Sequence, residues 1–161
     1  MVMKRIAKLM DLRGRVALVT GGCGHLGRKV CSALAELGAD IVVADIDPDS
    51  CSVFCQELAE LYDIKATSFP VDLADETETR SAVKELLKRV PAISILVNNA
   101  AYVGTTKIDG WATHFLEQNL SAWRAAMEVN VAAPFVLAQE LNEALTRGPR
   151  GVIINISSFY G

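Results

Sequence analysis

RVALVTGGCGHLG, residues 15 to 27, packs a short apolar run, a cluster of four glycines and the start of a helical pattern into thirteen positions. The run has the uninterrupted, Val-rich character of a strand buried on both faces. Glycines placed after it let the backbone turn tightly and approach a pyrophosphate. Unpaired amides at a helix N-terminus would then meet the negative charge. A plain strand-to-helix turn can use glycine too, so the stretch decides the fold only if its surroundings agree.

They do. Working outward, the runs ADIVVAD (39–45), ATSFPVD (66–72), ISILVNN (93–99) and GVIINIS (151–157) are further short strand candidates rich in Val and Ile. Between them, helical spacing recurs over Leu26–Leu37, over Cys51, Phe54, Cys55, Leu58 and Leu61, over Val83, Leu86, Leu87 and Val90, and over a long stretch from about Ser121 to Leu145. Asp47 followed by Pro48 reads as an N-cap and first-turn pair, Gly38 closes the first helix, and Pro91 ends the third. Strict alternation of this kind predicts an α/β fold with a doubly wound parallel sheet. The stretch Tyr102–Asn119, the least regular, falls beyond the carboxyl end of the fourth strand, where such sheets bind ligands.

The composition narrows the partners. A length of 161 residues with 51% hydrophobic content suits one domain, or part of one, with a sizeable core. A net charge of -3 and only scattered basic residues (Lys4, Arg5, Lys8) leave no footprint for nucleic acid. No 18 apolar residues run together, and the leader MVMKRIAKLM has no apolar stretch of signal-peptide length, so no membrane partner and a cytoplasmic location are expected. A small-molecule substrate is favoured. Cys23, Cys31, Cys51 and Cys55 have no paired C-x-x-C spacing and no nearby histidine, which predicts free, buried or partly buried thiols and no metal site.

Asp45 supports the glycine reading. It ends the second strand, 18 residues after Gly27, where a carboxylate can accept hydrogen bonds from adenosine ribose hydroxyls. The same carboxylate would oppose a 2'-phosphate by about 4 kcal/mol per charge pair at ~4 Å and an effective dielectric near 20. No Arg or Lys stands at Gly22, Cys23, Gly24, Ile46 or Asp47 to compensate, so the expected cofactor is NAD rather than NADP. A solvated strand-end aspartate is the plain alternative.

From Leu12 onward the chain resembles the short-chain dehydrogenase/reductase family, in its shorter single-domain branch. The resemblance rests on six motifs in order: TGGCGHLG (20–27), Asp45, VDLAD (71–75), LVNNAA (96–101), MEVNV (127–131) and IINISS (153–158). It implies a Rossmann-like fold, here incomplete after the fifth strand. It also implies cofactor contacts at Gly21, Cys23, His25, Leu26, Gly27, Asp45 and Ile46, with Asp72 and Leu73 flanking the adenine and Asn99, Ala100 and Ala101 lining the cleft. Asn130 and Ser158 would belong to the catalytic set, Ser158 positioning the substrate oxygen. Homodimers or homotetramers, assembled through the helix of about Ser121–Leu145, are implied as well.

Two departures stand out. The shorter branch has TGxxxGxG, whereas here the glycines fall as TGxxGxxG with His25 in a glycine position, a spacing that resembles the extended branch of sugar-nucleotide epimerases and dehydratases. The family's proton donor is a tyrosine in a YxxxK motif, and neither Tyr62, Tyr102 nor Tyr160 has a lysine four positions on. The expectation is therefore a leader of residues 1–11 and, over 12–161, the amino-terminal part of a longer single-domain NAD-binding enzyme, inactive by itself. Such an enzyme would move a hydride between nicotinamide and a hydroxyl or ketone carbon of a small polar molecule. TGGCGHLG, NNAAYVGTTKIDGW and ISSFYG together resemble bacterial members linked to surface-sugar biosynthesis. A dinucleotide-binding module without chemistry is the alternative from another class. Pro134, which has no amide hydrogen, would leave the Asn130 carbonyl without its helical partner and open to a water, or would only kink the helix. Trp111, His114 and Tyr102 sit where a substrate lid would lie, although Trp111 and Phe115, four apart, also suit core contacts.

Overall fold

The computed structural model describes residues 6–104, 106–147 and 151–158. Five parallel strands, β1 (Val16–Thr20), β2 (Asp40–Asp45), β3 (Ala66–Pro70), β4 (Ile93–Asn98) and β5 (Val152–Asn155), form one sheet in the order β3-β2-β1-β4-β5. The order reverses direction between β1 and β4, which makes their carboxyl ends the switch point of the sheet. Register runs cleanly from Val16 opposite Asp40 to Thr20 opposite Ala44, and from Ile95 opposite Val152 to Asn98 opposite Asn155. Between β1 and β4 it slips by one residue at Ser94, whose carbonyl accepts from Arg15 Nη2 at 3.1 Å.

Alternate residues of the strands feed two cores. Ala17, Val19, Ile41, Val43, Ile95 and Val97 face α2 (His25–Glu36) and α3 (Pro48–Tyr62), meeting Cys31, Ala35, Cys51, Phe54, Cys55 and Leu58. Leu18, Val42, Phe69, Ile93 and Leu96 face the other way, onto Val83 and Leu86 of α4 (Glu76–Arg89), Leu137 of α6 (Ala133–Glu140) and Ala144 of α7 (Asn142–Arg147). The central strands β1, β2 and β4 are thus covered on both faces, as their apolar runs require. A short α1 (Ile6–Leu9) precedes β1.

The helix ends follow local chemistry. Asp47 caps α3 by accepting from the Asp49 and Ser50 amides, with Pro48 in the first turn, and Asp75 caps α4 through the Glu78 amide. Gly38, at φ +91°, reverses the chain after α2 in the left-handed region that glycine tolerates best.

Two elements differ from the sequence reading. The long helix is not continuous: α5 (Leu120–Met127) runs into a wider π turn over Glu128–Ala132 before α6, and a break at Leu141 separates α7. In the π turn the Ala133 amide reaches back five residues to the Glu128 carbonyl. Pro134 follows directly, and its missing amide hydrogen is the local reason for the change of register. β3 buries only Phe69, because it lies at the sheet edge. β5 agrees with the reading of GVIINIS as an apolar edge strand and is exposed along its whole length, with Ile153 at 45%.

Candidate functional site

The carboxyl ends of β1, β2 and β4 converge on the glycine loop. Gly21, at φ +60°, starts the turn, and a Cβ there would sit 2.9 Å from the Ala100 Cα. A Cβ on Gly27 would lie 2.0 Å from the Gly21 carbonyl oxygen. These two glycines are therefore what allow α2 to start directly against the end of β1. Gly24 occupies the N-cap of α2 without a side-chain cap, and the helix has no acidic residue in its first turn. Its leading amides have no partner within the helix, which is the electrostatic arrangement an anion needs.

Asp45 turns its carboxylate back over this loop. Oδ2 accepts from the Cys23 amide at 2.9 Å and Oδ1 from the Ile46 amide at 2.8 Å. Each oxygen keeps a lone pair for a hydroxyl donor. The half-buried carboxylate is thus fixed in direction before any ligand arrives.

Thr20, which the sequence reading passed over, ties the β1 and β4 ends together. Its buried hydroxyl accepts from the Asn99 and Ala100 amides, each at 3.0 Å, and donates to the Val97 carbonyl at 3.4 Å. Asn99 Nδ2 donates to the carbonyls of Thr20 (2.9 Å) and Gly21 (3.1 Å). The first asparagine of the pair, Asn98, donates to Asn155 Oδ1 at 2.7 Å and so couples β4 to β5. Arg28 is the second residue the sequence reading missed. Its Nε donates to the Cys23 carbonyl at 3.2 Å, while the guanidinium pairs with Glu57 at 3.1 Å and lies 4.2 Å over the Phe54 ring. A cation directly after the last glycine was the available signal, but its direction is a tertiary fact.

Of the expected cofactor residues, Gly21, Cys23, Asp45, Asn99 and Ala100 are tied into one hydrogen-bonded unit, with Gly27 packed against Gly21. His25, Leu26, Ile46 and Ala101 stand exposed around it. Asp72 and Leu73 lie on the β2/β3 side, joined to the unit by the bond from the Val71 amide to the Asp45 carbonyl at 2.9 Å. Asp72 Oδ1 accepts from the Ala74 amide, and Leu73 packs on the core.

Asn130 lies in the π turn and brackets the backbone of Tyr102. Its Oδ1 accepts from the Tyr102 amide at 2.7 Å and its Nδ2 donates to the Tyr102 carbonyl at 3.0 Å. Ser158 is exposed, three residues beyond β5. Tyr160 lies outside the described residues. In the loop after β4, the Trp111 indole donates to the Val103 carbonyl at 3.1 Å, whereas Phe115 is 84% exposed and makes no core contact.

The profile of the short chain dehydrogenase family matches residues 15–161, and the chain belongs to that family. It is 31% identical over 147 residues to an uncharacterized oxidoreductase of Thermotoga maritima, covering 91% of this chain and 54% of that protein. It is 30% identical over 152 residues to the 3-oxoacyl-acyl-carrier-protein reductase of Aquifex aeolicus, covering 94% and 58%. Among solved structures, a metagenomic short-chain oxidoreductase in complex with NADP superposes with a TM-score of 0.80 at 28% identity, over 92% of this chain and 64% of that one. The chain thus spans a little over half the length of the curated relatives it matches.

Proposed function

We propose that this chain forms the dinucleotide-binding part of an NAD-dependent oxidoreductase that acts on a hydroxyl or ketone carbon of a small polar, sugar-like molecule. The observation that carries the reading is the Asp45 carboxylate, held by the Cys23 and Ile46 amides over the glycine loop. The donor set fits the cofactor: free amides at the start of α2 for a pyrophosphate, and an oriented carboxylate for ribose hydroxyls. Bound there, NAD would supply a hydride acceptor or, reduced, a donor.

The chain's own residues divide the remaining work. Gly21 and Gly27 keep the loop tight. Asp45 selects against a 2'-phosphate, and Arg28, the cation touching the loop, supports that selection because Glu57, Phe54 and the Cys23 carbonyl already engage it. The NADP seen in the metagenomic relative belongs to that protein. Asn130 holds the loop after β4 through Tyr102, and the Ser158 hydroxyl would position the substrate oxygen. Pro134 cannot donate to the Asn130 carbonyl, which leaves that oxygen suited to a water in a proton path. The exposed apolar stripe of α5 and α6 suits assembly into dimers or tetramers, and a cytoplasmic setting agrees with the composition. Among the described residues no helix is long and apolar enough to cross a membrane.

Fluorescence titration with NADH and NADPH tests the central step. The expected result is NADH binding at least about tenfold tighter, the size of one charge-assisted hydrogen bond. Equal affinities, or a preference for NADPH, would remove Asp45 as the selector. In the same samples hydride transfer from NADH to a ketose, or from a sugar alcohol to NAD, should run about 10²- to 10⁴-fold slower than in an enzyme of the family that carries the YxxxK tyrosine, since that is what a positioned acid or base is worth.

A further inference from the structure

Four cysteines distant in sequence meet beneath the glycine loop: Cys23 in the loop itself, Cys31 in α2, and Cys51 and Cys55 in α3. Cys31, Cys51 and Cys55 are buried among aliphatic side chains, whereas Cys23 is half-exposed at the rim. The Sγ atoms of Cys23 and Cys51 are 3.8 Å apart. A disulfide needs about 2.05 Å, so closure asks for an approach of about 1.8 Å. The two ends are not equally free to supply it. Cys51 is in the first turn of α3, anchored by the Asp47 cap and by its own amide bond to the Asp47 carbonyl at 3.0 Å. Cys23 sits between Gly22 and Gly24, outside any helix or strand.

We infer that Cys23 and Cys51 are an oxidisable thiol pair, closed to a disulfide by peroxides and reopened by thiol reductants, and that closure loosens the grip of the loop on a dinucleotide. The coupling follows from the backbone. The amide that donates to Asp45 Oδ2 belongs to Cys23, so drawing its side chain towards α3 alters the bond that orients the carboxylate.

The step balances with a hydroperoxide as oxidant. The thiolate of the half-exposed Cys23 attacks the peroxide O–O bond, giving a sulfenic acid and hydroxide, which takes up a proton as water. The Cys51 sulfur then attacks the Cys23 sulfur, the S–O bond breaks and a second water leaves. Two electrons pass from the two thiols to one hydrogen peroxide. Burial pushes the Cys23 thiol up to about 12 and raises Cys51 as well. The thiolate fraction is therefore small at neutral pH. Oxidation should be slow there and accelerate about tenfold per pH unit from 7 to 9.

The inference about the loop rests on the dinucleotide reading; the thiol pair does not. The test treats the purified chain with hydrogen peroxide at pH 8, blocks free thiols in denaturant, and maps peptides after non-reducing digestion with trypsin and Glu-C. The expected product joins the Cys23 peptide to the one containing Cys51, with Cys31 alkylated, and the link persists in Cys55→Ala but is lost in Cys51→Ala. Four alkylated cysteines, a link from Cys23 to Cys31 or Cys55, or a covalent dimer on a non-reducing gel would each overturn it; if a variant does not fold, fragment ions that break the wild-type linked peptide between Cys51 and Cys55 make the same assignment. NADH titration of the same oxidised sample should show affinity lowered by about tenfold and restored by dithiothreitol. A linked protein with unchanged NADH affinity overturns the coupling. A linked protein that binds no NADH in either redox state sinks the dinucleotide reading and leaves the thiol pair standing.

Discussion

The two sides of the carboxyl rim are built differently. Around β1 and β2 every turn is tied to another: Gly27 under Gly21, Asp45 on Cys23 and Ile46, Thr20 beneath Asn99 and Ala100. Around β5 and the α5–α6 face, apolar side chains stand in the open, with Val152 and Ile154 near 40% exposed and Trp123, Val131 and Phe135 above half. The first region closes on itself through backbone-directed hydrogen bonds. The second presents surface that a stable fold normally covers. The glycine-loop side is therefore fixed by the chain's own hydrogen bonds, whereas the β5 and α5–α6 side leaves its apolar groups uncovered.

The sharpest way to break the contrast is Gly27→Ala. In an ordinary exposed helix position alanine would gain up to about 1 kcal/mol over glycine. Here the new Cβ would meet the Gly21 carbonyl at 2.0 Å, and no rotamer relieves a backbone clash. The expected net loss is about 3 kcal/mol in denaturant unfolding, with NADH binding abolished. A neutral or stabilising effect would show that the loop is not the closed unit described. Asp45→Ala comes next. If its carboxylate bonds ribose hydroxyls as proposed, its loss weakens NADH by about 2 kcal/mol, and removing its repulsion of a 2'-phosphate raises relative NADPH affinity, both read from parallel titrations.

Asn130→Ala tests the other side. It removes both bonds to the Tyr102 backbone, at a cost of about 1–2 kcal/mol in unfolding free energy, while NADH affinity changes little because the glycine-loop side is held by its own hydrogen bonds. Asn130→Asp keeps the acceptor for the Tyr102 amide but sets a charge against the Tyr102 carbonyl, so it should not rescue.

Much of this was legible in the chain. The strands were, to within one or two residues, because β1, β2 and β4 are buried on both faces and write that burial as uninterrupted Val and Ile. The cap at Asp47 acts locally and leaves a local mark, whereas the Asp75 cap on α4 was not read from the chain. Thr20 and Arg28 were not legible, since a hydroxyl and a guanidinium carry no sign of which distant backbone they will reach. The same limit applied to Asn99 and Asn130: the motif located them, but only the fold shows their amides spent on backbone. Pro134 announced a disturbance in the long helix, but a lost amide is equally compatible with a simple kink, so the π turn that buries Val129 and Ala133 was not legible. Trp111 and Phe115 had the spacing of a core pair, but Phe115 is exposed in a 3-10 turn while the Trp111 indole bonds the Val103 carbonyl.

The smallest effect on stability discriminates most about the open side. Leu120, Trp123, Val131 and Phe135 are exposed, whereas Ala126, Val129, Val136 and Leu137 pack inward, so the helix divides its apolar residues between two faces that composition alone could not separate. Phe135→Glu on a free surface changes unfolding by no more than about 0.5 kcal/mol. If the stripe pairs two copies, the same substitution buries an unpaired carboxylate at each contact and dissociates them. Sedimentation equilibrium of wild type and variant reads the difference. A wild-type monomer would leave the stripe unpaired between copies. An oligomer broken by Phe135→Glu with the monomer's midpoint unchanged would show that this side of the molecule is completed by association, while the dinucleotide side is completed by its own chain.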